Sequence, residues 1–450
     1  FKLLSKGGSL CFITSNKWMR ANYGRAMRQY FLENGSLRKL IDFGDSPIFE
    51  NATTYTNIAL WSQAKDLKLK VWDLSKAYEA SSSLPELLER QGEGEALFSP
   101  ESFVITWGDE ARIKKRIEEV GKPLRDWDIS IYRGILTGLN EAFIINQQKY
   151  DELVAADPTS AEILKPILRG RDIKRYKTEW AGLYLIASHN GYRSSNGKDV
   201  PRIQLERDYP AVFTYMKSVG DSIAHGTIKS KGKGLYDRDD QGAHWSNLRD
   251  CAYFYLFQTE KIVIPSMVNE ATYYYDNNHF YGNDKTTIMT GVSLKYICAI
   301  QNSVVAWSYM SQIASSKQGG FYEIKPMYIS QLPVPDIQTS NQKPYEFLVD
   351  CIQFGHAHNL DFEAKTLESL VDVMVYGLYF EAEMRAAGCY INERVAEVVQ
   401  PFTDTDTDEF KAAYVKKLAE FCGRDPDIYA GLIHSRNVRS VEVVLGALKR

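Results

Sequence analysis

The chain has 450 residues, 44% hydrophobic and 25% charged, an ordinary globular balance that allows two or three domains with sizeable cores. Its longest apolar runs, such as 262–265 and 296–300, fall far short of the roughly 20 residues that a membrane-spanning helix needs, which excludes such a helix. The formal net charge of -3 argues against a uniformly basic polyanion binder, but the signs are uneven: 17 Lys+Arg against 16 Asp+Glu in residues 1–121, 25 against 22 in 122–335, and 12 against 19 in 336–450.

A nucleic-acid surface is therefore expected in the middle third, and the acidic tail is expected to face solvent or protein. The chain opens on Phe1 without the zones of a signal peptide and is expected to begin within a domain. Its cysteines, at 11, 251, 298, 351, 389 and 422, form no Cys-x-x-Cys pair. That pattern suggests neither a zinc site nor a disulfide framework, and a reducing bacterial cytoplasm is expected.

Residues 9–14 form a short apolar run after Gly7-Gly8, which predicts a buried strand. Ser15-Asn16 predicts the cap of a helix over 17–33, ended by Asn34-Gly35. Strands are expected at 37–43 and 55–61, with 69–72 pairing beside the latter. Such elements suit the trailing edge of an α/β sheet. Residues 76–121 are polar and read as a connector with one helix over 85–90. From 122 to 335, β-prone segments such as 183–187, 261–265 and 272–275 alternate with helices, giving an α+β domain. After 332–335 the pattern turns helical: Leu367, Leu370, Val371, Met374, Val375 and Leu378 recur on one face, and 391–400, 408–421 and 427–448 read likewise.

The segment from Leu3 through Ser15-Asn16-Lys17-Trp18, followed by Tyr23-Gly24-Arg25, Leu40-Ile41-Asp42-Phe43-Gly44 and Pro47-Ile48-Phe49, resembles gamma-class adenine-N6 DNA methyltransferases of the type IIG restriction-modification kind. Gly134-Ile135-Leu136-Thr137-Gly138 and Leu164-Lys165-Pro166-Ile167-Leu168-Arg169-Gly170-Arg171-Asp172 resemble their Taq-type target-recognition region, and Gln318-Gly319-Gly320 and 332–335 its end. The helical segment 370–380 is similar to the one that follows it in that family.

The resemblance implies the α/β edge of a methyltransferase sheet at 1–75, a connector at 76–121, an α+β target-recognition domain at 122–335 and an α-helical C-terminal domain at 336–450. It also implies double-stranded DNA as partner and S-adenosylmethionine as cofactor of the parent protein. The glycine-containing cofactor turn and the Asn-Pro-Pro-Tyr motif of the family are not in this sequence. The chain by itself is therefore expected to bind no cofactor and to be inactive, with N-terminal methyltransferase and nuclease regions as partners. Two alternatives share these residues: a non-enzymatic DNA-specificity subunit docking on a separate catalytic chain, and a phage-exclusion adenine methyltransferase without nuclease.

Several residues carry candidate chemistry. In the resembled family an aromatic at the place of Phe49 stacks on the extruded adenine; alternatively Phe49 fills a core beside the sheet edge. The turn before Asn51 reads as an exposed loop. Lys165, Arg169, Arg171, Lys174, Arg175 and Lys177 place six cations within 13 residues, with Asp172 the one acid among them. They read as phosphate or guanine contacts, or as a solvated charged face. Lys229, Lys231 and Lys233 alternate with Ser and Gly and read as a flexible phosphate-approaching loop or a loop tip. Asp42-Phe43-Gly44, a tripeptide also found in protein kinases, reads as a strand end, since no glycine-rich loop accompanies it. Asn341-Gln342-Lys343-Pro344-Tyr345 reads as a loop before a helix. His356 and His358 are too close in sequence to share a helix face, so solvent-facing or capping roles are expected rather than a metal site.

Overall fold

The computed structural model describes all residues except 1–3, 6, 35–36, 45, 47, 50–53, 63–67, 76, 80, 82, 107, 230–232, 318, 404 and 450. Strands Ser9–Ser15, Leu37–Asp42, Thr56–Ser62 and Lys70–Asp73 form one sheet in the order first, third, second, fourth. The third strand is antiparallel to both of its neighbours. Because both of its edges are thus occupied, Lys70–Asp73 pairs in parallel with the second strand and not, as expected, beside the third. Alternation along the strands splits the apolar side chains between two faces. Leu40, Ala59 and Val71 pack with Trp18, Met19 and Phe103, while Ile41 and Phe43 pack with Leu74 and Leu87.

The helix expected over 17–33 is shorter. Two 3-10 turns, Asn16–Met19 and Asn22–Gly24, precede the α-helix Arg25–Asn34. Carbonyls that a continuous helix would pair internally are taken by a side chain: the buried Arg28 guanidinium donates to Trp18 O at 2.5 Å and Ala21 O at 2.8 Å. A Cβ on Gly24 would lie 2.2 Å from Trp18 O, so only glycine permits this close turn.

The 76–121 segment is more structured than a connector. It holds the helix Leu84–Gln91, a hairpin of Glu95–Phe98 and Phe103–Thr106, and the helix Gly108–Val120. Ile113 and Ile117 of that last helix are buried in the same core as the C-terminal helices. The polar composition concealed this because the apolar residues occupy only one helix stripe.

Residues 122–335 divide between two large cores, with a small third cluster of Leu168, Ile173, Val263 and Tyr274 where they meet. The first lobe is built on strands Tyr281–Gly282, Leu164–Leu168, Leu183–Ile186 and Ile144–Asn146, covered by the helix Pro210–Ala224 around Phe143, Leu185, Met216 and Phe257. The second lobe is an antiparallel sheet of Tyr274–Asp276, Lys261–Pro265, Thr286–Gly291 and Ile129–Arg133, backed by helices Leu294–Asn302 and Val304–Ile313. Its core runs without a break into the helices of the tail. The chain passes between lobes at Gly134, where a Cβ would meet Asn283 O at 2.0 Å. In the second lobe Lys261 and Asp276 form an ion pair of 2.7 Å with both side chains fully buried. Two further bonds, to Phe257 O and Thr259 O, satisfy the ammonium.

In the tail, Asp361–Tyr379 buries Leu367, Leu370, Val371, Met374 and Val375 on the face that their spacing predicts. The stretch 341–345 lies inside the helix Thr339–Ala357 and is not a loop. Buried Tyr345, whose hydroxyl donates to Met374 O at 3.3 Å, draws it onto the core. The expected helix over 427–448 divides into Pro426–His434 and Arg439–Lys449 around a 3-10 turn at Ser435–Asn437. Among the described residues no helix is long and apolar enough to cross a membrane.

Candidate nucleic-acid interface

The basic cluster lies where the first lobe meets the second. Strand Leu164–Leu168 ends at a 3-10 turn, Gly170–Asp172, which Asp172 closes by accepting the Arg169 N–H at 2.8 Å. The buried Asp172 carboxylate also holds the Arg169 guanidinium in a two-pronged grip, with Nε at 2.9 Å and Nη2 at 2.8 Å. Burial pushes the Asp172 carboxyl up, but the bonds from Arg169 outweigh this and leave it below the ordinary carboxylate range. A short hairpin follows, Ile173–Lys174 paired with Lys177–Thr178. Its tip is Arg175-Tyr176. Tyr176 has a φ of +58° and is fully buried in the core of the second lobe, an unusual backbone for a bulky residue held by tertiary packing.

That buried tip explains how the six cations divide. Arg175 turns inward: its Nε lies 2.9 Å from Glu368 and its Nη2 3.2 Å from Asp372, both on the tail helix Asp361–Tyr379. Burial pushes its pKa down, but the two acids more than offset this and leave it raised. Lys177 follows it, with Nζ 3.6 Å from Asp361. The tail's acidity thus answers part of the basic cluster within the chain. Arg169, Arg171 and Lys174 line a cleft of about 530 Å³ together with Lys285, Glu270, Met267 and Phe321. Arg171 is exposed, Lys174 has Glu179 at 3.7 Å, and Lys285 has Asp284 at 2.8 Å. Lys165 stands apart, in a second cleft of the first lobe with His189, Arg202 and Arg207. Burial lowers His189 to about 4, so its ring is neutral there.

Of the two histidines of the tail, His358 is exposed and caps the C-terminus of the helix Thr339–Ala357, as expected, whereas His356 takes neither role. His356 is buried between two carboxylates, Nδ1 to Asp361 and Nε2 to Glu368, each at 2.7 Å. Burial pushes its pKa down, yet the bonds from Glu368 and Asp361 prevail and raise it. The same two acids face Arg175 and Lys177, so one charged network joins the recognition hairpin to the tail. His358 stacks on Phe354 with ring centroids 3.9 Å apart.

A third cleft, of about 330 Å³, separates the first sheet from the second lobe. Lys17, Arg20 and Asp42 stand on one side and Lys317, Glu323 and Lys325 on the other. Arg20 Nη1 donates across it to Ala314 O at 3.2 Å. Asp42 accepts bonds from Asn16 at 2.7 Å and from the Gly44 N–H at 3.0 Å. Burial, with Asp73 beside it on the parallel strand, still raises its carboxyl to about 6.

Between this cleft and the basic one lies a small sheet in the order Met267–Val268, Phe321–Glu323, Ser315–Lys317. Strand alternation and register give it two faces. Val268 and Tyr322 point into the core, Tyr322 edge-on to Trp307. Phe321, Glu323, Met267 and Lys317 form the other face, where Phe321 is 40% and Met267 44% exposed. Lys285, Met267 and Phe321 were missed by sequence reasoning, since each sits alone in its local segment and only the fold assembles them.

Phe49 is 44% exposed, beyond a turn at Gly44, and Ile48 packs on the cluster around Leu74. The neighbouring Pro47 and Asn51 lie outside the described residues, as do Lys231 of the glycine-lysine loop and Gln318. Lys229 is exposed, and Lys233 pairs with Asp239 at 2.5 Å.

Residues 165–334 match the family model of the TaqI-like C-terminal specificity domain, and residues 1–49 that of the Eco57I restriction-modification methylase. The chain is 23% identical over 381 residues to the type II methyltransferase M.BstVI of Geobacillus stearothermophilus, covering 78% of this chain and 62% of that protein. It is 22% identical over 346 residues to M.PaeR7I of Pseudomonas aeruginosa, covering 74% of this chain and 56% of that protein. It therefore spans little more than half the length of these relatives. In fold it is similar to the type IIL restriction-modification enzyme MmeI, solved in complex with DNA, with a TM-score of 0.50 and 12% identity over 92% of this chain and 49% of that one.

Proposed function

We propose that this chain, whose residues 1–49 and 165–334 match the Eco57I restriction-modification methylase and TaqI-like specificity-domain models, is the DNA-recognition part of a site-specific adenine-N6 methyltransferase. The observation that carries this reading is the cleft of Arg169, Arg171, Lys174 and Lys285, which falls inside the matched specificity segment, where Asp172, Glu179 and Asp284 pair with three of the cations and Arg171 is exposed. Lysine and arginine there supply phosphate contacts. Arg169, held flat by Asp172, is pre-shaped for bidentate pairing with a base edge. Arg175 and Lys177 are assigned to the contact with the tail. Lys165, Lys229, Lys231 and Lys233 are assigned to outlying phosphates.

Methyl transfer, and any nuclease step, belong to the longer parent protein. S-adenosylmethionine would supply the methyl group there. The strand-to-helix turn of this chain at Ser15-Asn16 has no glycine, and its Lys17 N–H is already capped by Ser15 Oγ at 3.5 Å. That turn does not fit the cofactor. Phe49, exposed beside the first sheet, is assigned to stacking on the extruded adenine.

Two measurements test the reading. DNA affinity of the whole chain should fall steeply with salt, as counterion release requires. Mapping of N6-methyladenine in the source organism, with and without the gene, should show one sequence context that disappears on deletion. Binding that is indifferent to salt, or unchanged methylation, overturns it.

A further inference from the structure

The sheet between the basic cleft and the cleft beside the first sheet presents an unusual outer face. Two large apolar side chains, Phe321 and Met267, stand in solvent on it, while the opposite face of the same strands is buried against Trp307. A monomer gains nothing by exposing them, because the alternation that buries Tyr322 and Val268 obliges only that something else point outward. Around them stand lysines and an arginine, together with Glu323 and Glu270. Arg171, Lys174 and Lys285 lie on one side, and Lys317 is the direct cross-strand neighbour of Phe321. Lys317 is in turn fixed by Glu323 at 2.9 Å, which also holds Lys325 at 3.1 Å. The strand reaches this face through Gly319-Gly320, with φ of +81° and +76°, a backbone that lets the connection turn tightly and keeps bulk away from Phe321.

Exposed apolar side chains flanked by lysine and arginine on both sides match one chemistry: stacked bases between two phosphate strands. We propose that Phe321, supported by Met267, enters the base stack of bound duplex DNA and fills the space left when a base moves out. This rests on the DNA-recognition reading above and assigns within it a residue that touches bases without hydrogen-bonding to them. Lys317, Lys174 and Lys285 hold the phosphates that flank the opened step.

The test compares the whole chain on two duplexes of about 25 base pairs, identical except that one carries a single central abasic site, over a series of salt concentrations. A side chain that fills a vacated position binds the abasic duplex more tightly, by about tenfold for a single stacked aromatic. Phe321→Ala should abolish this preference while leaving the slope of log affinity against log salt unchanged, and Phe321→Trp should retain it. Arg171→Ala should do the reverse, lowering the slope by about one and keeping the preference. Thermal melting of each variant confirms that the fold is intact. Salt-dependent binding with no preference for the abasic duplex, or a preference that survives Phe321→Ala, overturns the inference and leaves the DNA reading standing. No binding to either duplex overturns both.

Discussion

Arg175 separates a role inside the fold from a role on DNA, and Arg175→Met tests which one it has. The substitution keeps an unbranched apolar stem of similar length but removes the charge facing Glu368 and Asp372. Glu368 retains His356 as a partner, so the uncompensated charge falls on Asp372, which keeps only the N–H of Val304 at 2.9 Å. Removing one partner of a buried pair costs about 3 to 5 kcal/mol, and the retained bond and partial exposure reduce this to about 2 to 3 kcal/mol. At about 2 to 4 °C per kcal/mol, the melting temperature should drop by about 4 to 12 °C. Adding Asp372→Asn should recover more than half of the loss, because the stranded charge is gone and the amide oxygen still accepts from Val304.

The pH dependence of the single variant has a definite sign. Burial already raises the Asp372 carboxyl, and Arg175 opposes that rise. Without Arg175 the carboxyl rises further, so the deficit should narrow as pH falls from about 8 to about 5 and the acid protonates. Differential scanning calorimetry of the three proteins measures this, and DNA affinity at several salt concentrations runs in parallel. An Arg175→Met protein with unchanged melting and a salt slope lowered by about one would identify Arg175 as a phosphate contact and refute the argument.

His356, raised by its two carboxylates, contributes stability that is fully present below its ordinary value of about 6.5 and is lost as pH rises through the raised value. Urea midpoints of the wild type and His356→Gln should therefore differ most in mild acid and converge in alkali. Arg238 is buried without a carboxylate partner within hydrogen-bonding reach among the described residues, and donates instead to backbone carbonyls of Thr137 and Leu235 at 3.0 Å and of Trp245 and Asn247. Arg238→Met strands these acceptors and should cost about 3 to 5 kcal/mol by denaturant unfolding, and Lys should rescue little because it lacks the planar fork. In the parent enzyme, Phe49→Ala should lower the single-turnover rate by about tenfold or more, with site affinity and melting unchanged and partial rescue by Trp. Equal loss of melting temperature and turnover would instead make Phe49 a core residue.

The strands of the first sheet were legible as short β-prone stretches, but Ser9–Ser15, expected to be buried, is an edge strand with Phe12 and Ile13 exposed, because its run of apolar residues records no neighbour. Lys261–Pro265 was legible as a short apolar run. Pairing was less so: where 69–72 docks depends on which edges other strands have taken, and no local pattern records that. The helix over 17–33 failed for a different reason, since its break is made by Arg28 reaching back to Trp18 O and Ala21 O, a contact of tertiary origin. The cluster 165–177 was visible as charge, but its direction was not. Composition weighs Lys174 and Arg175 equally, whereas the buried Tyr176 beside Arg175 turns one of them toward the tail and leaves the other in the cleft. Phe321 and Met267 are 54 residues apart in sequence and become neighbours only through strand pairing.

The two cores of residues 122–335 bear on how such a chain can change over generations. The lobe around Phe143, Leu185 and Met216 closes largely on its own side chains, with Ile288 and Tyr132 of the second lobe's sheet packed into it. Substitutions there are absorbed locally, so its loops are free to drift, lengthen or be exchanged by recombination with little penalty elsewhere. The other lobe shares its interior with the tail helices and with Gly108–Val120, so a change at any of these sites must be matched at the others. New binding preferences should accumulate in the first lobe, while the second evolves slowly as the frame that joins it to the tail.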